Sequence, residues 1–278
     1  MGFVSKHEER DLKLPDNHKK LLEKIENDLL NDDNVVAVFY GGSIGNNNTD
    51  IFSDIDLRIV VKSDKISEYI KNKQAHAKTW GNVLFFEELA PSSIYTVAHY
   101  DCFIKVDVFY FTLDNIQPSI WLKNIKIVKD TDGAMNDIQN QSKTIAYKLS
   151  VDELEVWRSK FFAHLHEAYR RTLRKEYYYA LDCIDKLRLS MTTAWYMNSG
   201  LQPNTFGDWS KYEGDRSQLK EWQKSLLKNW KCGRNTVEII NVMKSIVLEF
   251  KKVHDSLCAI LEIENDSKWV NKIINQVL

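Results

Sequence analysis

The sequence predicts an α+β protein, with a mixed β-sheet and flanking helices over residues 1–137 and an all-α helical bundle over residues 138–278. Three observations carry this. Runs such as VVAVFY (35–40) and IKVDVFYFTL (104–113) are β-branched, aromatic and alternating, as strands require. Such runs stop from about Ile138 onward. Ser150 followed by Glu153 then forms a capping box, with Leu149 and Leu154 at the staple positions, and no Gly or Pro interrupts the chain from there to Met197.

In chain order, Asp16 or Asn17 is placed to cap a first helix whose Leu21, Leu22, Ile25, Leu29 and Leu30 form an apolar face. Val35–Tyr40 reads as a buried strand. It runs into Gly41, Gly42 and Ser43, a turn in which glycine permits positive φ and close backbone approach. After a polar loop, Asp54, Asp56 and Arg58 share one side of an extended segment while Ile55, Leu57 and Ile59 share the other. Lys65–Lys73 suggests a helix, and Val83–Leu89, Ser93–Asp101 and Ile104–Leu113 suggest strands that complete the sheet. Glu87 and Glu88 end an apolar run; they are candidate contacts to a cationic substrate, although strand-end acids are ordinarily solvated. A further strand, Ile125–Val128, leads into an Asp132-Gly133 turn.

The uninterrupted stretch after Ser150 is long for one helix, so two are expected, with a break near Arg171–Lys175 and an end at Gly200 and Pro203. Helices at Ser217–Trp230, at Thr236–Leu261 with Asn235 as cap, and at Lys268–Leu278 after Asp266 complete a bundle of five.

Composition narrows the function classes. Hydrophobic residues at 44% supply ample core and argue against disorder. A formal net charge of -1 disfavours a general grip on long nucleic acid. The N-terminus carries no apolar signal core and no apolar run is long enough to span a bilayer, so a cytoplasmic protein is expected, with no membrane partner. Cys102, Cys183, Cys232 and Cys258 form no Cys-x-x-Cys pair, and His164 and His166 at i, i+2 point to different faces of a helix. Zinc and disulfide frameworks therefore lack support.

Chemistry concentrates in residues 39–61. Asp54 and Asp56 on one strand face repel unless a cation sits between them, and oxygen-only ligands suit magnesium. Successive N–H groups at Gly41, Gly42 and Ser43 can form an anion-binding nest. Asp107 is a lone acid in an apolar strand, and Asp101 stands shortly before it.

The Gly-Gly-Ser turn followed by Asp54-Ile55-Asp56 resembles the signature of the polymerase-β-type nucleotidyltransferase superfamily, and the helical second half is similar to that of aminoglycoside and lincosamide nucleotidyltransferases. The resemblance implies a catalytic domain over 1–137 and a substrate-binding domain over 138–278. It implies Asp54, Asp56 and Asp107 as catalytic and metal-binding residues for two Mg2+ ions, and Gly42 and Ser43 as the site for ATP or another nucleoside triphosphate. Tyr178 and Asp182, with Asp185 nearby, match the substrate-facing helix of the antibiotic-modifying branch, and KDTDG (129–133) resembles its Asp-x-Asp-Gly element. The implied activity is transfer of AMP from ATP to a hydroxyl of a small molecule, an aminoglycoside-type antibiotic first. The acceptor is expected in a cleft between the two domains. The alternatives are a lincosamide, protein or tRNA acceptor, and a catalytically silent nucleotide-binding module. Asn46, Asn47 and Asn48 stand where many relatives carry a basic residue and a further glycine.

Overall fold

A computed structural model describes residues 6–278; the first residues of the stretch read for a signal core lie outside that range. The chain forms two compact units, one ending at Ala146 and the other spanning Tyr147–Leu278.

The first unit contains a six-stranded sheet with β1 Val35–Tyr40, β2 Ile55–Val61, β3 Val83–Glu87, β4 Tyr95–Tyr100, β5 Lys105–Phe111 and β6 Lys126–Asp130, in the order β3-β4-β5-β2-β1-β6. Among the described residues only β2 and β5 pair in parallel, so the sheet is mixed, as the sequence predicts. Alternation decides the faces. Ile55, Leu57, Ile59, Val106, Val108 and Tyr110 turn inward against Leu21, Ile25, Leu29, Ala77 and Trp80 of two covering helices. The intervening Asp56, Arg58, Asp107 and Phe109 are left half-buried on the opposite face.

Before the sheet, α1 Glu8–Leu12 is followed by α2 Leu14–Leu30, which begins ahead of the expected Asp16 or Asn17 cap. Pro15 occupies its first turn, where a missing N–H costs nothing, so Asp16 lies inside the helix. The Gly-Gly-Ser turn winds into one helical turn, α3 Gly42–Gly45. The next helix, α4 Ile66–Trp80, outruns the expected end at Lys73. Lys73 reads as a polar stop but is buried. Its ammonium pairs with Glu88 at 2.7 Å and donates to the carbonyls of Pro91 and Ser93 at 2.6 and 2.9 Å. Glu88 is thereby tied down rather than solvated, and Glu87 lies 3.4 Å from His99.

Helix α5 Ala134–Lys143 belongs to the first unit, which therefore extends past the 137/138 division suggested by composition. Met135 and Ile138 pack with Ala37, Phe39 and Val60. Its start is capped by Asp130, whose carboxylate accepts from the N–H groups of Met135 and Asn136 at 3.1 and 2.9 Å.

The second unit is a bundle of five helices: α6 Val151–Leu173, α7 Tyr177–Asn198, α8 Glu221–Asn229, α9 Thr236–Ile260 and α10 Ser267–Ile274. The capping box is formed, with Glu153 N–H donating to Ser150 Oγ at 3.2 Å and Ser150 N–H to Glu153 Oε2 at 3.0 Å. Asn235 and Asp266 cap α9 and α10 through their side-chain oxygens. The α6–α7 break falls where expected, with Lys175 at φ +61°. The core centres on Phe161 and Phe250, stacked at 3.9 Å between centroids, beside Trp157 and a Trp195–Trp230 stack. Trp195 and Trp230 are thus core residues. Among the described residues no helix is long and apolar enough to cross a membrane, and all four cysteines are free thiols.

Candidate active site

Parallel pairing of β2 with β5 sets Asp56 directly opposite Asp107. Both project from the face opposite α2 and α4, which α5 covers in part through Met135 and Ile138, and Asp54 precedes β2 by one residue. Asp101 is elsewhere: it sits in the β4–β5 turn, where Asn82 Nδ2 donates to its carboxylate at 3.0 Å.

Two cations organise these acids. The Lys105 ammonium, two residues before Asp107 on the same strand face, reaches Asp54 Oδ2 at 2.9 Å and Asp107 Oδ2 at 3.0 Å. Burial alone would lower its pKa, but the hydrogen bonds it donates to both aspartates prevail and raise it, so Lys105 stays charged. Arg58 approaches Asp56 Oδ1 at 3.7 Å, lies 4.2 Å over the Phe109 ring and donates to the Leu57 carbonyl at 3.2 Å. Burial raises the pKa of Asp107; Lys105 opposes this and the neighbouring Asp54 and Asp56 add to it. Oδ1 of Asp107 is buried with no hydrogen-bond partner.

The turn after β1 lies against this group. Gly41 N–H donates to the Asp56 carbonyl at 2.9 Å. Gly42 adopts φ +53°, and a Cβ there would stand 1.7 Å from Asp56 Oδ2, so only glycine fits both the backbone conformation and the space. Ser43 is 4% exposed and its Oγ has no hydrogen-bond partner. An orphaned buried hydroxyl beside carboxylates and open helical-turn N–H groups suits an anionic oxygen such as a phosphate.

The donor set fits magnesium. Asp54, Asp56 and Asp107 offer only hard oxygen ligands, and the unpartnered Oδ1 of Asp107 has acceptor capacity to spare. Among the described residues no three His, Cys, Asp or Glu side chains already converge as a metal cage. Asp54 and Asp107 are instead joined through the Lys105 ammonium, and Asp56 is approached by Arg58.

Sequence reasoning missed Lys105 and His18. His18 lies against Asp54, and burial lowers its pKa against the raising influence of the Asp54 backbone and charge. The available signal was a histidine at helical spacing within the apolar stripe Leu14, Leu21, Ile25.

The helix expected to face an acceptor presents Tyr178, 73% exposed, beneath the Arg234 guanidinium at 4.6 Å. Asp182 pairs with Lys186 at 2.6 Å, and Asp185 accepts from Trp209 Nε1 at 3.2 Å. These belong to the second unit, and Asp54, Asp56 and Asp107 to the first.

The family model described as streptomycin adenylyltransferase matches residues 16–276. Similar solved structures include an aminoglycoside 6-adenyltransferase from Bacillus subtilis, 13% identical over 93% of this chain and 96% of that one, with a TM-score of 0.45. A nucleotidyltransferase-like protein from Exiguobacterium sibiricum 255-15 is 12% identical over 88% of this chain and 78% of that one, with a TM-score of 0.42. No curated protein matches the chain.

Proposed function

Because the chain belongs to the streptomycin adenylyltransferase family, and is thereby a nucleotidyltransferase, we propose that it transfers AMP from ATP to a hydroxyl of an aminoglycoside-type antibiotic. The observation that most supports this reading is the pairing of Asp56 with Asp107 across two parallel strands, beside Asp54 and under the Gly42 turn. The silent-module alternative is set aside by family membership.

In this proposal the triphosphate lies on the turn after β1. The missing Cβ of Gly42 lets that turn lie directly against the Asp56 carboxylate, and Ser43 Oγ donates to a phosphate oxygen. Asp54 and Asp56 would hold magnesium, with Asp107 beside them. When bound, that ion supplies positive charge against the phosphate oxygens and the leaving pyrophosphate. Arg58 keeps Asp56 oriented, and Lys105 offsets the repulsion between Asp54 and Asp107. The acceptor oxygen forms a bond to the α-phosphorus while the bond from that phosphorus to the bridging oxygen breaks. Its proton passes to the Asp107 carboxylate, which stands opposite Asp56 across the parallel strand pair. Tyr178 and Asp182 are proposed as acceptor contacts. An exposed pair such as Asp182–Lys186 is worth only about 0–1 kcal/mol, so an ammonium of the acceptor can replace Lys186 at small cost.

The test is pyrophosphate release with ATP, magnesium and a panel of aminoglycosides and lincosamides, with mass spectrometry of the products. A product heavier by one AMP on an aminoglycoside, abolished in Asp56→Asn with the fold retained, is the expected result. Turnover retained by that variant refutes the site, and AMP found only on a lincosamide, a protein or tRNA refutes the acceptor class.

A further inference from the structure

The three acids of the candidate site do not share one cation. Val106 pairs with Ile55 and Asp107 with Asp56 across the parallel strands, so Lys105 comes level with Asp54 and lies two residues before Asp107 on the same face. Strand register thereby places its ammonium between two carboxylates. It meets Asp54 Oδ2 at 2.9 Å and Asp107 Oδ2 at 3.0 Å, hydrogen-bonding separations in both cases. On its other flank Lys105 pairs with His99 of β4, which fixes its backbone.

What each carboxylate can still offer decides how many ions the site takes. The Asp107 side chain is 20% exposed; its Oδ2 is engaged by Lys105, and its remaining acceptor capacity lies on Oδ1, which is enclosed. Asp107 therefore presents no oxygen to an ion unless Lys105 leaves. Asp54, 37% exposed, meets Lys105 through Oδ2 and keeps Oδ1 for a ligand. That makes Asp54 and Asp56, on one face of β2 and its approach and beside the turn assigned to the phosphates, the pair that shares a divalent ion. Charge leads to the same count. Three carboxylates set against Lys105 and Arg58 leave one negative charge. One divalent ion reverses it, whereas a second would stand against the Lys105 ammonium, and like charges repel.

We infer that the site takes one divalent ion, on Asp54 and Asp56, and that the Lys105 ammonium is its second cation, a built-in positioning charge between Asp54 and Asp107. The inference rests on the proposed transfer reaction and departs from the two-ion arrangement that the family resemblance implies. In this role Lys105 holds Asp107 in place for the acceptor proton and adds fixed positive charge beside the reaction centre.

The test counts ions. Mn2+, which shares the preference of magnesium for carboxylate oxygen, is titrated into the full chain with α,β-methylene-ATP, and electron paramagnetic resonance reads the free ion. In that analogue carbon replaces the bridging oxygen, so no transfer occurs. One Mn2+ per chain is expected for the parent and for Lys105→Arg, which keeps the charge, and two for Lys105→Gln. Without divalent ions Lys105→Gln should melt below the parent, because Asp54 and Asp107 then repel, and Mn2+ should raise its melting temperature by more than the parent's. Two ions on the parent overturn the inference whatever the variants do, and leave the transfer reaction standing. One ion on a folded Lys105→Gln also overturns it. Absence of nucleotide-dependent Mn2+ binding by the parent refutes the transfer reading and the inference together.

Discussion

Replacing Gly42 by alanine separates a catalytic role of the turn after β1 from a structural one. Two costs are involved. Alanine at φ +53° carries the left-handed penalty, roughly 1–2 kcal/mol. Its Cβ would also stand 1.7 Å from Asp56 Oδ2 and 2.7 Å from Asp56 Cγ. Ordinary contact needs about 3.5 Å, so the carboxylate or the turn must move by more than about 1 Å. A misplacement of that size at a reacting centre costs about 100-fold, close to 2.7 kcal/mol of transition-state stabilisation. Gly133→Ala is the matched control: φ is +75° and nothing lies within 4 Å of its Cβ, so it incurs only the backbone penalty. Both variants should melt lower, by about 2–4 °C for each kcal/mol lost. Pyrophosphate release with ATP and acceptor should fall about 100-fold or more in Gly42→Ala, while Gly133→Ala stays within about twofold of the parent. Equal turnover in the two variants would refute the assignment of Asp56 to the reaction centre.

Asp107→Asn should lower transfer by about 100-fold to 10,000-fold, the range of a lost general base, with ATP affinity measured by calorimetry nearly unchanged. Loss of nucleotide binding in step with turnover would assign Asp107 to the metal instead. Phe250→Ala removes a fully buried ring stacked on Phe161 and should cost about 3–5 kcal/mol in urea unfolding. A loss below about 1 kcal/mol would show that the bundle core is not built on that pair. His254 is buried beside Cys258, Phe250 and Trp157, and burial lowers its pKa below the ordinary 6.5. Folding therefore favours the neutral ring: the stability it contributes is complete above 6.5 and is lost as pH falls through the lowered folded value. His254→Gln should reduce the difference in urea midpoint between about pH 7.5 and about pH 5, in part only, because His18 and His164 are shifted in the same direction. An undiminished difference would refute the role of His254.

Features governed by a few neighbouring residues were legible in the sequence. The Ser150–Glu153 box, the Asn235 cap, the break at Lys175 and the alternation that puts Asp56 and Arg58 on one face all follow from side chains reaching backbone within about one helical turn or one pleat. The tertiary structure decided everything that depends on which distant segments share a core. Asp107 rather than Asp101 stands opposite Asp56 because Val106 and Val108 must be buried beside Ile55 and Leu57, and that requirement sets the parallel register. For the same reason α4 runs past Lys73: Ala77 and Trp80 gain the core, and the buried ammonium finds Glu88 and two carbonyls. It also places α5 with the first unit, through Met135 and Ile138. Lys105 as the bridge between Asp54 and Asp107, and Gly42 as the close approach to Asp56, arise only once the strands are paired. Local chemistry sets the elements, whereas burial of apolar surface between elements far apart in the chain sets their register.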